Sequence, residues 1–296
     1  MSHSTPQVAF DQAMQVGECP MWHPEEAAVY WVDIEGKAIH RLHPASGAHR
    51  VWPMPTEPAT LARAQTGGLI VALRSGFAHL DTTTGTLTEI VKAPYDTATT
   101  RFNDGRCDAA GRFWVGTIYE PRDQQAAEMY CLERGALRKV WSGGTTVSNG
   151  LGFSPDNTTL YHSDTTAHVI RRHALNLTDG TVGPAQLLKQ FSTDKANNYG
   201  GRPDGAAVDS EGAYWCAMFE GGRLLRLSPQ GELLQEINLP VRCPTMLAFG
   251  GEDLRTLYIT SAGKRPEAEL VQFPLSGRLL SLTVEVAGRV EHAYRT

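Results

Sequence analysis

No stretch of this chain approaches the roughly 18 to 20 consecutive apolar residues that cross a membrane as a helix. There is no Lys/Arg block, and the formal net charge is −5. A mildly acidic chain without basic clusters is a poor sequence-independent binder of nucleic acid. Cysteine is scarce: Cys19, Cys107, Cys131, Cys216 and Cys243, an odd count with no C-x-x-C. Their dispersal argues against a structural zinc site and for reduced thiols. The N-terminal MSHSTPQVAFDQAM lacks a basic region followed by an apolar one, so the expected compartment is the cytoplasm. There is no G-x-S-x-G elbow around Ser163-Asp164, which disfavours a serine hydrolase. Gly200-Gly201 and Gly250-Gly251 do not follow a phosphate-cradling pattern. No amphipathic helix longer than two turns is evident.

What the chain does have is a repeated β pattern. A turn leads into a strand with an aromatic or aliphatic pair: Val29–Val32, Leu69–Val71, Phe113–Val115, Leu160–His162, Tyr214–Cys216 and Leu257–Ile259. A second strand follows most copies, at Ile39–His43, Phe77–Asp81, Met129–Glu133, Val169–His173, Leu224–Ser228 and Leu270–Phe273. Several copies end in Pro/Gly turns such as His43-Pro-Ala-Ser-Gly47. Such runs read as antiparallel hairpins. Six copies in 296 residues leave about 49 residues each, enough for one four-stranded sheet. An isolated sheet of that size has exposed edges and a poorly covered face, and radial packing of several sheets removes both problems. The expected fold is an all-β, six-bladed propeller forming a single domain over residues 1–296. The regular spacing and the absence of a linker disfavour a β-sandwich or two smaller β domains. Strand pairing between Val8–Ala13 and the last blade is expected to close the ring.

A finer register precedes each hairpin. A polar residue is followed four places later by an apolar one and often five places later by another polar one. Asn103 precedes Cys107 and Asp108; Asn149 precedes Phe153 and Ser154; Asp204 precedes Val208 and Asp209; Glu18 precedes Trp22 and His23. Thr245 precedes Phe249, and Thr60 more weakly Ala64. Equivalent positions on successive blades lie on a ring around the propeller axis, so Glu18, Asn103, Asn149 and Asp204 should converge. Two carboxylates and two carboxamides on one ring suit a hard divalent cation. The competing reading is that Asn149-Gly150 and Asp204-Gly205 are turn dipeptides. That reading explains Glu18 less well.

Five motifs in order carry a family resemblance: Gly17-Glu18-Cys19-Pro20, Arg101-Phe-Asn103-Asp-Gly105, Gly116-Thr117, Ser148-Asn149-Gly150-Leu-Gly-Phe-Ser-Pro155-Asp156 and Pro203-Asp204-Gly205. From about Glu18 to Gly277 the chain resembles the senescence-marker/gluconolactonase/luciferin-regenerating family, which includes regucalcin and bacterial sugar lactonases. The resemblance implies a six-bladed propeller with one divalent metal (Ca, Zn, Mg, Mn or Fe) held by Glu18, Asn149 and Asp204. It implies substrate contacts at Arg101 and Asn103, and at Glu120 after Gly116-Thr117. It also implies hydrolysis of a small-molecule sugar lactone in carbohydrate catabolism. The alternatives are a regucalcin-like calcium-binding regulatory protein and a phosphotriesterase-like or luciferin-regenerating activity. The chain departs from the family at Cys19, where Gly is usual, and at Arg202, where Tyr or an aliphatic residue is common. Cys19 is expected to be a packed side chain rather than a soft ligand. For Arg202, contact with substrate and exposure to solvent stand open.

In that chemistry the lactone carbonyl is polarised by the cation and water attacks it, with Asp204 the candidate general base. Glu18 is then a structural ligand, and Arg101 and Asn103 bind hydroxyls or the ring oxygen. His40, His162, His168 and His173 are expected as ordinary strand residues. Thr193–Arg202, with its Asn-Asn-Tyr-Gly-Gly, reads as a loop beside Asp204 and a candidate lid. No nucleic-acid or membrane partner is expected, and the expected state is a monomer or weak homo-oligomer.

Overall fold

A computed structural model describes residues 3–197 and 199–296. Six antiparallel sheets follow one another along the chain. In the first five, the first strand lies innermost and the last outermost. Blade 1 is Gly17–His23, Ala28–Asp33, Ala38–His43 and Ala48–Pro53; blade 2 is Pro58–Arg63, Leu69–Leu73, Gly76–Leu80 and Leu87–Lys92. Blade 3 is Thr100–Cys107, Phe113–Tyr119, Glu128–Glu133 and Ala136–Ser142. Blade 4 is Ser148–Phe153, Thr159–Asp164 and Val169–Asn176, with both Gln186–Gln190 and the short Thr181–Val182 pairing with Val169–Asn176. Blade 5 is Arg202–Val208, Tyr214–Phe219, Arg223–Leu227 and Leu233–Asn238. Each inner strand packs on the inner strands of both neighbouring blades, so the ring is closed.

Burial explains the repeat that the sequence displays. The second strand of each blade is covered on both faces, which is why Ala28–Asp33, Leu69–Leu73 and Tyr214–Phe219 read as continuous apolar runs. The outermost strands, such as Ala48–Pro53 and Leu87–Lys92, are largely exposed and correspondingly polar. Asp108 and Asp209, the second polar residues of the register, do structural work away from the channel. Asp108 Oδ2 accepts from Trp114 Nε1 and Arg112 Nε, both at 2.7 Å. Asp209 Oδ2 accepts from Trp215 Nε1 at 2.9 Å and Arg226 Nε at 2.8 Å. Each pins a buried tryptophan of the next strand.

The sixth blade is Pro244–Gly250, Thr256–Ser261 and Leu279–Thr283, completed by Gln7–Phe10 from the N-terminus. The register is Gln7↔Ser281, Val8↔Leu280 and Phe10↔Leu279. The expected closure is therefore present, as a shorter strand than Val8–Ala13. Leu270–Phe273, expected as a strand, instead overlaps a short helix, Glu267–Gln272. Pro266 supplies a helix-compatible φ at the entry, and Glu267 and Glu269 suit the positive end of the helix. Among the described residues no helix is long and apolar enough to cross a membrane.

A second fastening was not foreseen. After Val284 the chain crosses the mouth of the channel opposite the site and touches five blades in turn. Gly288 N donates to Leu254 O at 2.7 Å, Ser210 N to Ala287 O at 2.9 Å and Arg289 Nη1 to Phe153 O at 3.3 Å. Arg295 N donates to Gly111 O at 2.9 Å, and Tyr294 N to Arg63 O at 2.7 Å. Arg106 from blade 3 rises to meet this segment. It pairs with Glu291 and donates to Leu151 O of blade 4 (2.9 Å) and Ala206 O of blade 5 (2.7 Å).

Phe10 packs on Trp31 and His49, at 5.3 and 4.3 Å between ring centroids. Deleting residues up to Phe10 should lower the melting temperature by about 5–10 °C, the scale of losing one packed edge strand in a domain of this size; an unchanged melting curve would show that the strand does not latch the ring. A second expectation concerns acid. His162 and His40 are pushed down to about 3 and about 4, chiefly by burial. As pH drops, the unfolded chain protonates these rings first, at about 6.5. Their contribution to stability is thus fully present above that pH and is lost as pH falls through the folded-state values. From pH 7 to pH 4, calorimetry should show the melting temperature of a His40→Gln, His162→Gln variant rising relative to that of the wild type; an unchanged difference would contradict this role of the two rings.

Candidate active site and cation centre

The six register residues sit where the inner strands break their own ladders. Pairing with the second strand is irregular between Glu18 and Met21, Phe102 and Gly105, Asn149 and Gly152, and Pro203 and Ala206. The same happens between Pro58 and Thr60 and between Pro244 and Met246. A bulge frees its residues from the ladder and re-aims side chains. Here it turns them toward the axis. Gly150 takes the left-handed conformation (φ 60°) just after Asn149, and Cys19 takes it (φ 45°) just after Glu18. Cys19 is thus a residue with a Cβ where the backbone favours glycine.

Glu18, Arg101, Asn103, Asn149, Arg202 and Asp204 line one cavity of about 240 Å³ at one end of the channel. Asn103, Asn149 and Asp204 are buried. A hydrogen-bond chain fixes the two carboxamides. Arg101 Nη1 donates to Asn103 Oδ1 (2.9 Å), and Asn103 Nδ2 donates to Asn149 Oδ1 (2.8 Å) and Ser148 O (2.9 Å). Asn149 Nδ2 donates to Thr165 Oγ1 (2.8 Å), which donates to Pro203 O (2.8 Å). The chain therefore runs from blade 3 through blade 4 to blade 5. It orients the Asn149 amide and leaves its oxygen one further lone pair.

Glu120 is not in the cavity wall. It stands behind Arg101, in a two-bond pairing with Arg74 at 2.9 and 2.8 Å and 3.3 Å from Arg101 Nε. Cys19 Sγ lies 3.1 Å from Thr60 Oγ1 and accepts from Leu61 N at 3.3 Å. The thiol is pushed up to about 12, chiefly by burial. It is a packed link between blades 1 and 2. Thr60 and Thr245 likewise spend their hydroxyls between blades, donating to Gly105 O (3.2 Å) and Gly17 O (2.6 Å). Arg202 faces the cavity. Its guanidinium carbon lies 5.1 Å from the Phe219 ring centroid, its Nη2 is 3.4 Å from Glu220 Oε2, and its buried Nε has no partner. In the loop 193–202, Tyr199 donates to Glu220 Oε2 at 2.6 Å; Asn198 of that stretch lies outside the described residues. Of the histidines, His162 contacts Ser148 Oγ at 2.8 Å and His173 stacks on Trp141. Neither lines this cavity.

Burial dominates the electrostatics of the carboxylates. The Glu18 carboxyl is held well above the usual carboxylate range, first by burial and then by Asp204 and Asp104. Asp204 is raised by burial and by Asp104, with Arg202, Arg122 and Arg101 opposing. Asp104, pushed up to about 6 by burial, keeps a buried Oδ1 with no partner while its Oδ2 accepts from Leu151 N. Among the described residues no side-chain cation pairs with Glu18 or Asp204, and no three or more His, Cys, Asp or Glu side chains cluster as a metal site. The donor set is instead two carboxylates and one amide oxygen. Two carboxylates without an ion-pair partner lining one cavity are what a hard divalent cation relieves, so the residues fit such an ion.

Sequence reasoning missed Thr165, Asp104, Arg122 and Phe219. Asp104 stood inside a quoted motif, and Arg122 follows Glu120 by two positions. Thr165 and Phe219 carried no signal outside the fold.

The geometry agrees with what the chain is similar to. A model of the SMP-30/Gluconolactonase/LRE-like region matches residues 16–263. A 6-deoxy-6-sulfogluconolactonase of Pseudomonas putida is 47% identical over 281 residues, covering 95% of each chain. A pentonolactonase of Haloferax volcanii is 32% identical over 291 residues, also covering 95% of each. A solved structure described as a calcium-binding protein, regucalcin, from Agrobacterium tumefaciens superposes with a TM-score of 0.92 at 30% identity, covering 98% of this chain and 97% of that one. The chain belongs to the SMP-30/gluconolactonase/LRE-like family.

Proposed function

We propose that this protein hydrolyses a sugar lactone to its aldonic acid, with a divalent cation held by Glu18, Asn149 and Asp204 and with Asp204 as general base. As a lactonase it is a carboxylic ester hydrolase. The observation that carries the reading is a pair of carboxylates without an ion-pair partner, Asp204 buried and Glu18 half-buried, that line one cavity together with the Asn149 amide, Arg101 and Asn103. The named activities of the relatives support the substrate class. The all-oxygen donor set favours hard ions such as Ca²⁺, Mg²⁺ or Mn²⁺ over Zn²⁺.

When bound, such an ion supplies Lewis-acid polarisation of the lactone carbonyl. The chain's own residues do the rest. Asp204 takes a proton from water as the water oxygen bonds to the carbonyl carbon. The ring C–O bond then breaks, and the departing oxygen takes that proton back from Asp204. Burial strengthens Asp204 as a base while a neighbouring cation weakens it, and these opposed effects keep it within reach of neutral pH. Arg101 has Nη1 and Nε engaged by Phe102 O, Asn103 and Glu120, which leaves Nη2 to hold a substrate oxygen in place. Glu120 and Arg74 set the Arg101 side chain rather than touch substrate.

Adding Ca²⁺, Mg²⁺ or Mn²⁺ to metal-stripped protein should raise the melting temperature, by mass action on the folded state. The Glu18→Gln variant should lose most of that response. At saturating metal, Asp204→Asn should still turn over lactone about 10²–10⁴ times more slowly than wild type. Full recovery would make Asp204 only a ligand. Arg101→Ala should raise KM more than it lowers kcat. If no metal-loaded form opens an aldonolactone faster than it hydrolyses spontaneously, the calcium-binding reading replaces the lactonase one.

A further inference from the structure

A chain of net charge −5 gathers five cationic side chains, Arg101, Arg122, Arg202, Lys264 and Arg265, around this one cavity. Three of them are spent within the protein. Arg101 is held by Glu120 and Asn103. Lys264 pairs with Glu35, and Arg265 grips Glu269 through two nitrogens at 2.8 and 3.2 Å. Arg122 and Arg202 are different. Arg122 has no side-chain partner among the described residues, and its backbone is held left-handed at φ 58° beside the cavity. Arg202 has only a long contact to Glu220, whose same oxygen already accepts from Tyr199 at 2.6 Å. Its Nε is buried without a partner.

Arg202 and Arg265 both rest on the Phe219 ring, their guanidinium carbons 5.1 and 5.5 Å from its centroid. A guanidinium resting on a ring leaves its in-plane N–H groups free for a ligand. Once Glu18 and Asp204 face a divalent cation, neither offers these arginines net negative charge. A neutral sugar hydroxyl does not neutralise them either. Two forked donors with unspent charge match an oxyanion.

Resting on the lactonase reading above, we propose that Arg122 and Arg202 form an anion subsite, so that the preferred lactone carries a fixed negative group (sulfonate, phosphate or carboxylate) remote from its reacting carbonyl. The carbonyl lies toward Glu18, Asn149 and Asp204, and the anionic end lies toward the arginines.

The test compares kcat/KM of the metal-loaded protein on glucono-lactone with that on its 6-phosphate, 6-deoxy-6-sulfo and 6-carboxylate counterparts, each corrected for spontaneous opening. The anionic members should be preferred by roughly 10- to 1,000-fold, mainly through KM, and the best of them identifies the anion. The preference should shrink as ionic strength rises. An Arg122→Asn, Arg202→Met variant keeps a residue tolerant of the left-handed backbone and an apolar contact to Phe219. In it the ratio should collapse toward one, with metal-induced stabilisation retained as evidence of a folded cation site. Equal rates on neutral and anionic lactones in wild type, or an equal loss on both in the variant, would overturn the subsite. If no lactone is opened at all, the lactonase reading fails and binding decides the subsite alone. Calorimetric titration with 6-phosphogluconate and gluconate should then show at least tenfold tighter binding of the phosphorylated acid in wild type and not in the variant; equal affinities would overturn it.

Discussion

The structure depends on closing a ring of six sheets, because each blade's second strand is apolar on both faces and only a neighbour on either side covers it. Closure is made twice. Gln7–Phe10 completes the last blade from the opposite end of the chain. The final residues then cross the far mouth, where Arg106 ties the tail to blades 3, 4 and 5. The consequence for chemistry is that groups more than 180 residues apart, Glu18 and Asp204, are held in one lumen by the architecture rather than by attraction for one another. Their charges alone would push them apart.

That repulsion links fold to function. Two carboxylates held in one lumen, Asp204 buried and Glu18 half-buried, are costly, and in the folded chain both pKa values are driven upward. The proposed cation would relieve that cost. The surrounding amides are arranged consistently: Asn103 spends its donors on Asn149 and on the backbone, and Asn149 donates to Thr165, which leaves the Asn149 oxygen a lone pair in the cavity that the carboxylates line. In the proposed hydrolysis, the same opposition between burial and a neighbouring cation would set how strong a base Asp204 is. It also leaves the two arginines with unspent charge facing whatever the far end of the substrate carries.

Much of this was legible in the chain. Periodicity alone placed Glu18, Asn103, Asn149 and Asp204 at one register, because a propeller converts equal spacing into a ring. The same periodicity misassigned Leu270–Phe273, where local helix chemistry around Pro266 and two glutamates overrode the strand pattern. It also grouped Asp108 and Asp209 with the site's register, although they anchor tryptophans elsewhere. The terminal tail has no repeat to betray it, since it is used once. Thr165 and Phe219 gain their roles only from contacts across blades. The bulges that aim the ring inward are set by pairing between strands, which no single strand's sequence records.

The central claim is that Glu18, Asn149 and Asp204 share one cation. Crystals of the protein grown or soaked with Mn²⁺ would test it directly through the anomalous signal of the ion. The account predicts one strong peak on the axis within about 2.0–2.6 Å of an oxygen from each of the three side chains. A clear map with no peak there, or a peak bound by other residues, would contradict it.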